Sequence, residues 1–243
     1  MNHFSVLIQL LRDRKTFLDE VRDEAKLETK IVSLLIASSS FFAVYGAIVG
    51  AYGGGFQILS SAIKLPALYL VTLAICIPTL YFFDILSGSK LSFRQYVTMA
   101  LTAVSVISVL LFAFAPVVLF FLVSIKDYVF FLLLNVLIMT ITGGIGVRLF
   151  YKGMRDMVGG PKALENPTIE NPVVEKAIVE KRLRRYLLQG WVLLYGLVGS
   201  QLGWTLRPFL GVEGEPFQVF RPEIDGNFYA QVLRSVGTMM GWH

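Results

Sequence analysis

The sequence predicts an all-α, polytopic membrane protein, and three observations carry that expectation. The 243 residues are 55% hydrophobic and 16% charged, with a mean hydropathy of +0.66, whereas charged residues make up about a quarter of an ordinary soluble domain. Apolar runs long enough to cross a hydrocarbon core, which takes about 20 helical residues, recur along the chain. Lys and Arg segregate to alternate connections between those runs. Together these place about five transmembrane helices between an N-terminal amphipathic helix and an ordered, non-cytoplasmic C-terminal tail.

Residues 1–30 set Phe4, Leu7, Ile8, Leu11, Leu18, Val21 and Ala25 at helical spacing among charged residues. That periodicity predicts an amphipathic helix, cytoplasmic or interfacial. Its six basic residues are matched by six acidic ones, so charge alone does not fasten it to a bilayer. Four spans follow within residues 31–151. The first, 31–51, carries Gly46, Gly50 and Gly54 at spacing four, a smooth face for close helix approach. Residues 56–64 read as an interfacial elbow, after which Pro66 opens a second span over 66–83 that Pro78 kinks. Ser92 stands where it can cap a third span over 95–125. That span bends at Pro116, the alternative being a re-entrant pair broken there. The fourth, 128–151, places Asn135, Thr142 and Gly146 on one helical face. A buried amide in hydrocarbon needs a partner, so Asn135 faces other helices, either as a simple interhelical bond or along a polar path.

Residues 152–185 are soluble in character. Glu-Asn-Pro occurs at 165–167 and again at 170–172, too short a unit for a repeat fold, which reads as extended linker leading into a helix that Pro172 begins. The basic group Lys181, Arg182, Arg184 and Arg185 directly precedes the fifth span, 186–207. It is a topology determinant and, secondarily, a site for anionic lipid headgroups. With a cytoplasmic N-terminus, six Lys and Arg lie in the N-terminal segment, two between spans 2 and 3, and nine from Arg148 to Arg185, against five on the other side. This asymmetry predicts a cytoplasmic N-terminus and a C-terminus facing the periplasm or a lumen.

The densest cluster of special residues is 190–211. Gly199 and Gly203 form a second small-residue pair, with the polar Gln201 between them, and Trp204, Arg207 and Pro208 mark the helix end. Beyond it, residues 208–243 hold Phe209, Phe217, Phe220, Phe228 and Tyr229 with Arg221 among acidic neighbours. A disordered tail has few aromatics. The expectation is therefore an ordered loop lying back on the membrane helices, latched by Arg207 or Arg221 on Glu215 or Glu223, then a short helix over 228–240. It is a structural lid or a docking surface for another subunit.

Residue types argue against chemistry. The only histidines are His3 and His243 and the only cysteine is Cys76, so neither a His-based triad nor a transition-metal site is easily built. No phosphate-cradling glycine motif and no nucleic-acid-binding signature occurs. No catalytic residue, metal or cofactor is assigned.

Gly199, Gln201, Trp204, Arg207, Pro208, Phe209 and Gly211, followed by Pro216, Phe217, Phe220, Arg221, Gly226 and Asn227, resemble the C-terminal signature of a group of bacterial polytopic inner-membrane proteins loosely described as Yip-like. Residues 62–95 are similar to the same group. The resemblance implies a five-span inner-membrane protein and no particular activity; the Asp-Leu-Tyr-Gly-Pro motif of eukaryotic Yip proteins is missing, so no trafficking role follows. The expected function is a non-catalytic membrane subunit, scaffold or assembly factor. Gly46, Gly50, Gly199 and Gly203 supply contacts within the membrane, and Trp204, Arg207, Phe209, Phe217 and Arg221 supply them outside it. Membrane lipids and other membrane subunits are the expected partners, and nucleic acid is not. The alternative is an oligomeric channel or a small-solute or lipid transporter lined by Asn135, Thr142 and polar residues of span 1 such as Ser38.

Overall fold

The computed structural model describes residues 3–86, 89, 91–125, 127–158, 172–207, 209–211, 217–220 and 226–240, with side chains for all of these but 3, 158 and 172–185. Every described element is helical: α1 (His3–Arg12), α2 (Arg14–Arg22), α3 (Leu27–Gly50), α4 (Gly55–Leu86), α5 (Phe93–Ser124), α6 (Tyr128–Val158), α7 (Pro172–Thr205) and α8 (Phe228–Met239). Four of them, α3 to α6, are long and apolar enough to cross a membrane. The fifth expected span is part of α7, one continuous helix that joins the basic segment to the apolar one and lies outside that set of four.

The N-terminal segment is two helices rather than one. Asp13 breaks it, because its carboxylate accepts from the Thr16 amide at 3.2 Å and so starts α2 anew. The buried face of α1 also differs from the expected stripe. Val6, Leu7 and Leu10 are buried, whereas Phe4, Ile8 and Leu11 are exposed. Opposite the polar stripe of Ser5, Gln9 and Arg12, the apolar arc of HFSVLIQLLR covers more than half of the helix, wider than the face that α3 can bury, so its periodicity could not select which part of the arc turns inward. The α1 helix runs back along α3, and the Phe4 ring meets the Phe41 ring edge-on at 5.9 Å, about 20 Å along α3 from its start.

At this end of the bundle charged groups hold α2 in place. Lys30, 4% exposed, reaches Glu20 at 2.7 Å and the Ala25 carbonyl at 2.9 Å. Arg14 and Arg22 donate to the Leu149 and Asp156 carbonyls of α6. The Gln95 amide donates to the Val21 and Arg22 carbonyls while its oxygen accepts from the Ser92 amide, where α5 begins.

Within the membrane part, α3 is the inner helix and touches both α4 and α5; α6 packs on α5 and α7 on α4. The α3/α4 pair closes through glycine. A Cβ at Gly46 would stand 2.4 Å from the Ser61 carbonyl oxygen, and one at Gly50 would stand 2.5 Å from that of Gln57. This contact explains why 56–64 is not an elbow: those residues belong to the first turns of α4, paired with the glycine face of α3. Pro66 and Pro78 lie inside α4 and Pro116 inside α5, so the re-entrant alternative at Pro116 is replaced by one unbroken helix. In lipid an interior proline persists because neighbouring helices satisfy the carbonyls it frees. On α6, Gly146 and Gly153 receive the ends of Ile107 and Met99 from α5.

Two outcomes follow from this packing. Gly46→Leu should cost about 1–3 kcal/mol through overpacking against backbone, lowering the melting temperature in detergent, whereas Gly199→Ala, whose Cβ would sit 3.5 Å from Thr72, should leave it nearly unchanged; equal effects would contradict the α3/α4 contact. The Lys30 ammonium holds the Glu20 carboxyl below its ordinary value of 4.5. A depressed folded value means that the pair stabilises α2 docking fully above the unfolded pKa and loses that contribution as pH falls through the folded one. An environment-sensitive label on α2 should therefore report an acid transition that Glu20→Gln removes.

Candidate interaction site at the tail end of the bundle

Where α4 begins, Gln57, Ser61 and Lys64 stand at spacings of four and three, one stripe of the helix, and all three are buried. Polar groups in that position are costly unless hydrogen-bonded, about 1–3 kcal/mol each by mutational measure. The C-terminal tail answers them. The Gln57 amide donates to the Phe209 carbonyl at 3.1 Å and Ser61 donates to the same oxygen. Further along, the Lys64 ammonium donates to the Val219 carbonyl and lies 5.1 Å from the centre of the Phe220 ring. The Phe56 and Phe217 rings meet at 5.8 Å.

The approach is close because two glycines meet. A Cβ at Gly53 would fall 2.7 Å from the Leu210 oxygen, and one at Gly211, where φ is +76°, would fall 3.1 Å from the Gly53 Cα. Only glycine fits both the contact and that left-handed conformation. The chain then reaches α8, which Asn227 caps through the Ala230 amide. The Tyr229 hydroxyl meets the Ser200 hydroxyl at 2.9 Å, tying α8 to α7.

Trp204 and Arg207 stay within the chain. The guanidinium lies 3.5 Å from the centre of the Trp204 ring, a cation–π contact folded back over the end of α7. The proposed latch partners Glu215 and Glu223, and Arg221 itself, lie outside the described residues, as do the side chains of Lys181, Arg182, Arg184 and Arg185. Phe209 contributes its carbonyl to the α4 stripe.

The glycine faces are both occupied by α4. Gly46 and Gly50 meet Ser61 and Gln57, while Gly199 and Gly203 meet Thr72 and Leu68 at ordinary van der Waals distance. These four positions therefore assemble this chain rather than offering a free face. Asn135 and Thr142 are buried. Asn135 accepts from the Tyr45 hydroxyl at 2.9 Å and donates to the Phe131 carbonyl at 2.8 Å; Thr142 bonds back to Ile138 at 2.9 Å. Ser38 likewise bonds to the Leu35 carbonyl of its own helix. The Gln201 carbonyl accepts from Thr205.

Sequence reasoning missed Gln57, Ser61 and Lys64. Their signal was present as three polar residues on one helical stripe directly before an apolar run, and it was masked by taking Pro66 as a helix start. The donors of the stripe hold backbone carbonyls, so the arrangement anchors a segment and leaves an aromatic ledge, with Phe56 75%, Phe217 46% and Phe220 54% exposed. No known protein family, curated protein or solved structure matches the chain.

Replacing Gln57 by Leu together with Ser61 by Ala removes two donors from Phe209. At about 0.5–1.5 kcal/mol per hydrogen bond, the open tail should become about tenfold more populated. Modification of Lys64 by a membrane-impermeant amine reagent, followed by peptide mass spectrometry, should accelerate accordingly; an unchanged rate would show that the tail does not cover Lys64.

Proposed function

We propose that the chain is a non-catalytic integral membrane subunit, scaffold or assembly factor of a larger membrane complex. In this reading α7 makes a fifth crossing of a bacterial inner membrane, the N-terminal helices lie in the cytoplasm and the tail lies in the periplasm. The excess of Lys and Arg at the α2 end and in 152–185 supports that orientation. The basic residues Lys181, Arg182, Arg184 and Arg185 would then lie beside lipid phosphates at the cytoplasmic surface.

The observation that carries the subunit role is the aromatic ledge. Phe56 comes from α4, while Phe217 and Phe220 come from a tail pinned to α4 by buried donors. Ordering a loop so firmly in order to expose three phenylalanines suits a preorganised docking surface, since interface anchors are rigid aromatic groups set beside polar partners. The resemblance of the tail to Yip-like bacterial membrane proteins implies an inner-membrane location and adds no activity.

The test is purification from native membranes in mild detergent. A stoichiometric second subunit should accompany the wild type, and Phe56→Ser, Phe217→Ser and Phe220→Ser combined should lower its recovery tenfold or more, at about 1 kcal/mol or above per aromatic anchor. A wild type that runs alone as a monomer would refute the proposal, as would a partner retained by the triple variant. Cysteine labelling of α8 by reagents confined to the periplasm checks the orientation.

A further inference from the structure

Helix α8 divides its surface three ways. At 3.6 residues per turn, Tyr229, Leu233, Val236 and Met240 fall within about 60° of arc, and all four are exposed, Leu233 the most at 72%. About a third of a turn to one side of that stripe lie Phe228, Val232 and Ser235, buried or half-buried where α8 packs on α6 and α7. About a third of a turn to the other side lie Arg234 and Thr238, both exposed, the Thr238 hydroxyl donating to the Arg234 carbonyl at 3.0 Å. A helix between a protein core and water has two sectors, one apolar and packed, one polar and wet. The outward stripe of α8 is a third, apolar and uncovered among the described residues, and Met239 adds exposed apolar surface in the last turn.

Two contacts set the level at which α8 lies. The Tyr229 hydroxyl meets that of Ser200 at 2.9 Å, and Ser200 stands five residues before α7 ends at Thr205, about 7.5 Å along its axis. An amphipathic helix at a bilayer surface sinks its apolar side about 5–10 Å into the boundary between headgroups and acyl chains. On α6, which begins at this end of the bundle, Tyr128 meets the Tyr52 ring at 5.8 Å. Tyrosine is the residue type that collects at membrane interfaces. The surface next to α8 is of the same kind as its stripe: Leu193 and Leu197, two turns and one turn before Ser200 on the same side of α7, are exposed.

We propose that α8 is an interfacial helix whose partner is the bilayer itself, with Tyr229, Leu233, Val236 and Met240 among acyl chains and Arg234 beside lipid phosphates. An arginine on the wet side of such a helix extends its guanidinium toward the phosphate layer while its stem stays against apolar surface. The tail is then held from two sides, by the donors of α4 at Phe209 and Val219 and by lipid at α8, with Phe217 and Phe220 between the two anchors. The proposal rests on α7 crossing the bilayer, as in the proposed function, and is independent of the subunit role.

The experiment is a scan of single spin labels over residues 229–240 of the full chain, in a Cys76→Ala background, reconstituted in vesicles of phosphatidylethanolamine and phosphatidylglycerol. Relaxation by oxygen, which concentrates in hydrocarbon, and by a water-soluble nickel chelate should both vary with helical period and in opposite phase. Oxygen should peak at 233, 236 and 240, and nickel at 234 and 238. The oxygen-to-nickel ratio should be about tenfold higher at 233 than at 238, for side chains about 5–10 Å apart in depth. Leu233→Asp with Val236→Asp should lower the ratio at 240 about tenfold or more, since each removes a buried aliphatic side chain. Two periods in phase, no period at all, or a ratio at 240 unmoved by the aspartates would each overturn the proposal. Low access of both reagents to 233 and 236 would overturn it as well, in favour of a protein covering the stripe. A label at Leu197 separates this failure from that of the membrane placement: nickel access there would show α7 outside the lipid, whereas oxygen access there with nickel access at 233 would sink the α8 assignment alone.

Discussion

In hydrocarbon no water is available to satisfy a polar group, so each carbonyl, amide or hydroxyl carried there must find its partner inside the protein. Helix α4 meets that demand for several parts of the chain at once. Its Gln57 and Ser61 hold the Phe209 carbonyl, its Lys64 holds the Val219 carbonyl, and its Cys76 carbonyl accepts from the Trp191 indole at 2.7 Å. Its Asp84 takes the Tyr96 hydroxyl of α5. Tail, α7 and α5 are each fixed to this helix by a buried polar contact, and removing one partner of such a contact strands the other at about 1–3 kcal/mol. The tail is thus ordered by the needs of α4 as much as by its own sequence.

Apolar packing in lipid does not by itself favour one helix neighbour over another, so close approach must supply the specificity. Glycine does so on both sides of α4, at Gly46 and Gly50 of α3 and at Gly199 and Gly203 of α7. The two contacts differ in tightness. On the α3 side a Cβ would collide with backbone, which fixes the register of the pair; on the α7 side it would only touch the ends of Thr72 and Leu68. The α3/α4 pair is therefore the rigid unit, and α5 joins it along a row of small and hydroxyl residues whose Ser105 reaches the Leu34 carbonyl of α3.

Hydropathy made four membrane-length helices legible, because length and apolarity are properties of a segment alone. Where they stop was less legible. Pro66 reads as a helix start by local rules, yet the glycine face of α3 extends α4 back to Gly55, a tertiary cause that no local signal carries. The inner face of α1 was undecidable for a similar reason: Phe4, Ile8 and Leu11 are as apolar as Val6, Leu7 and Leu10, and only the position of α3 separates them. Gly199, Gly203 and Asn135 were recognisable as residues in need of partners. That the partners are Thr72, Leu68 and Tyr45 of the same chain depends on how the helices are arranged. Phe209 was singled out by its residue type, but its carbonyl forms the contact with the stripe, and backbone roles are invisible to residue type.

The two ends of the α4/α7 seam follow from one sequence difference. At 199 and 203 α7 presents hydrogen atoms to α4, and the helices touch. At 191 it presents an indole, which spans to the Cys76 carbonyl of α4 and packs its ring 5.0 Å from Phe150 of α6. An indole serving two neighbours cannot also close the space beside Gly190, so the seam widens toward the end of α4 into an apolar cleft. A chain selecting only for stability would fill such a space, since each missing contact forfeits dispersion energy and a residual void adds its own cost. The α4/α7 seam is thus tight where glycine lets the helices touch and open where Trp191 holds them apart.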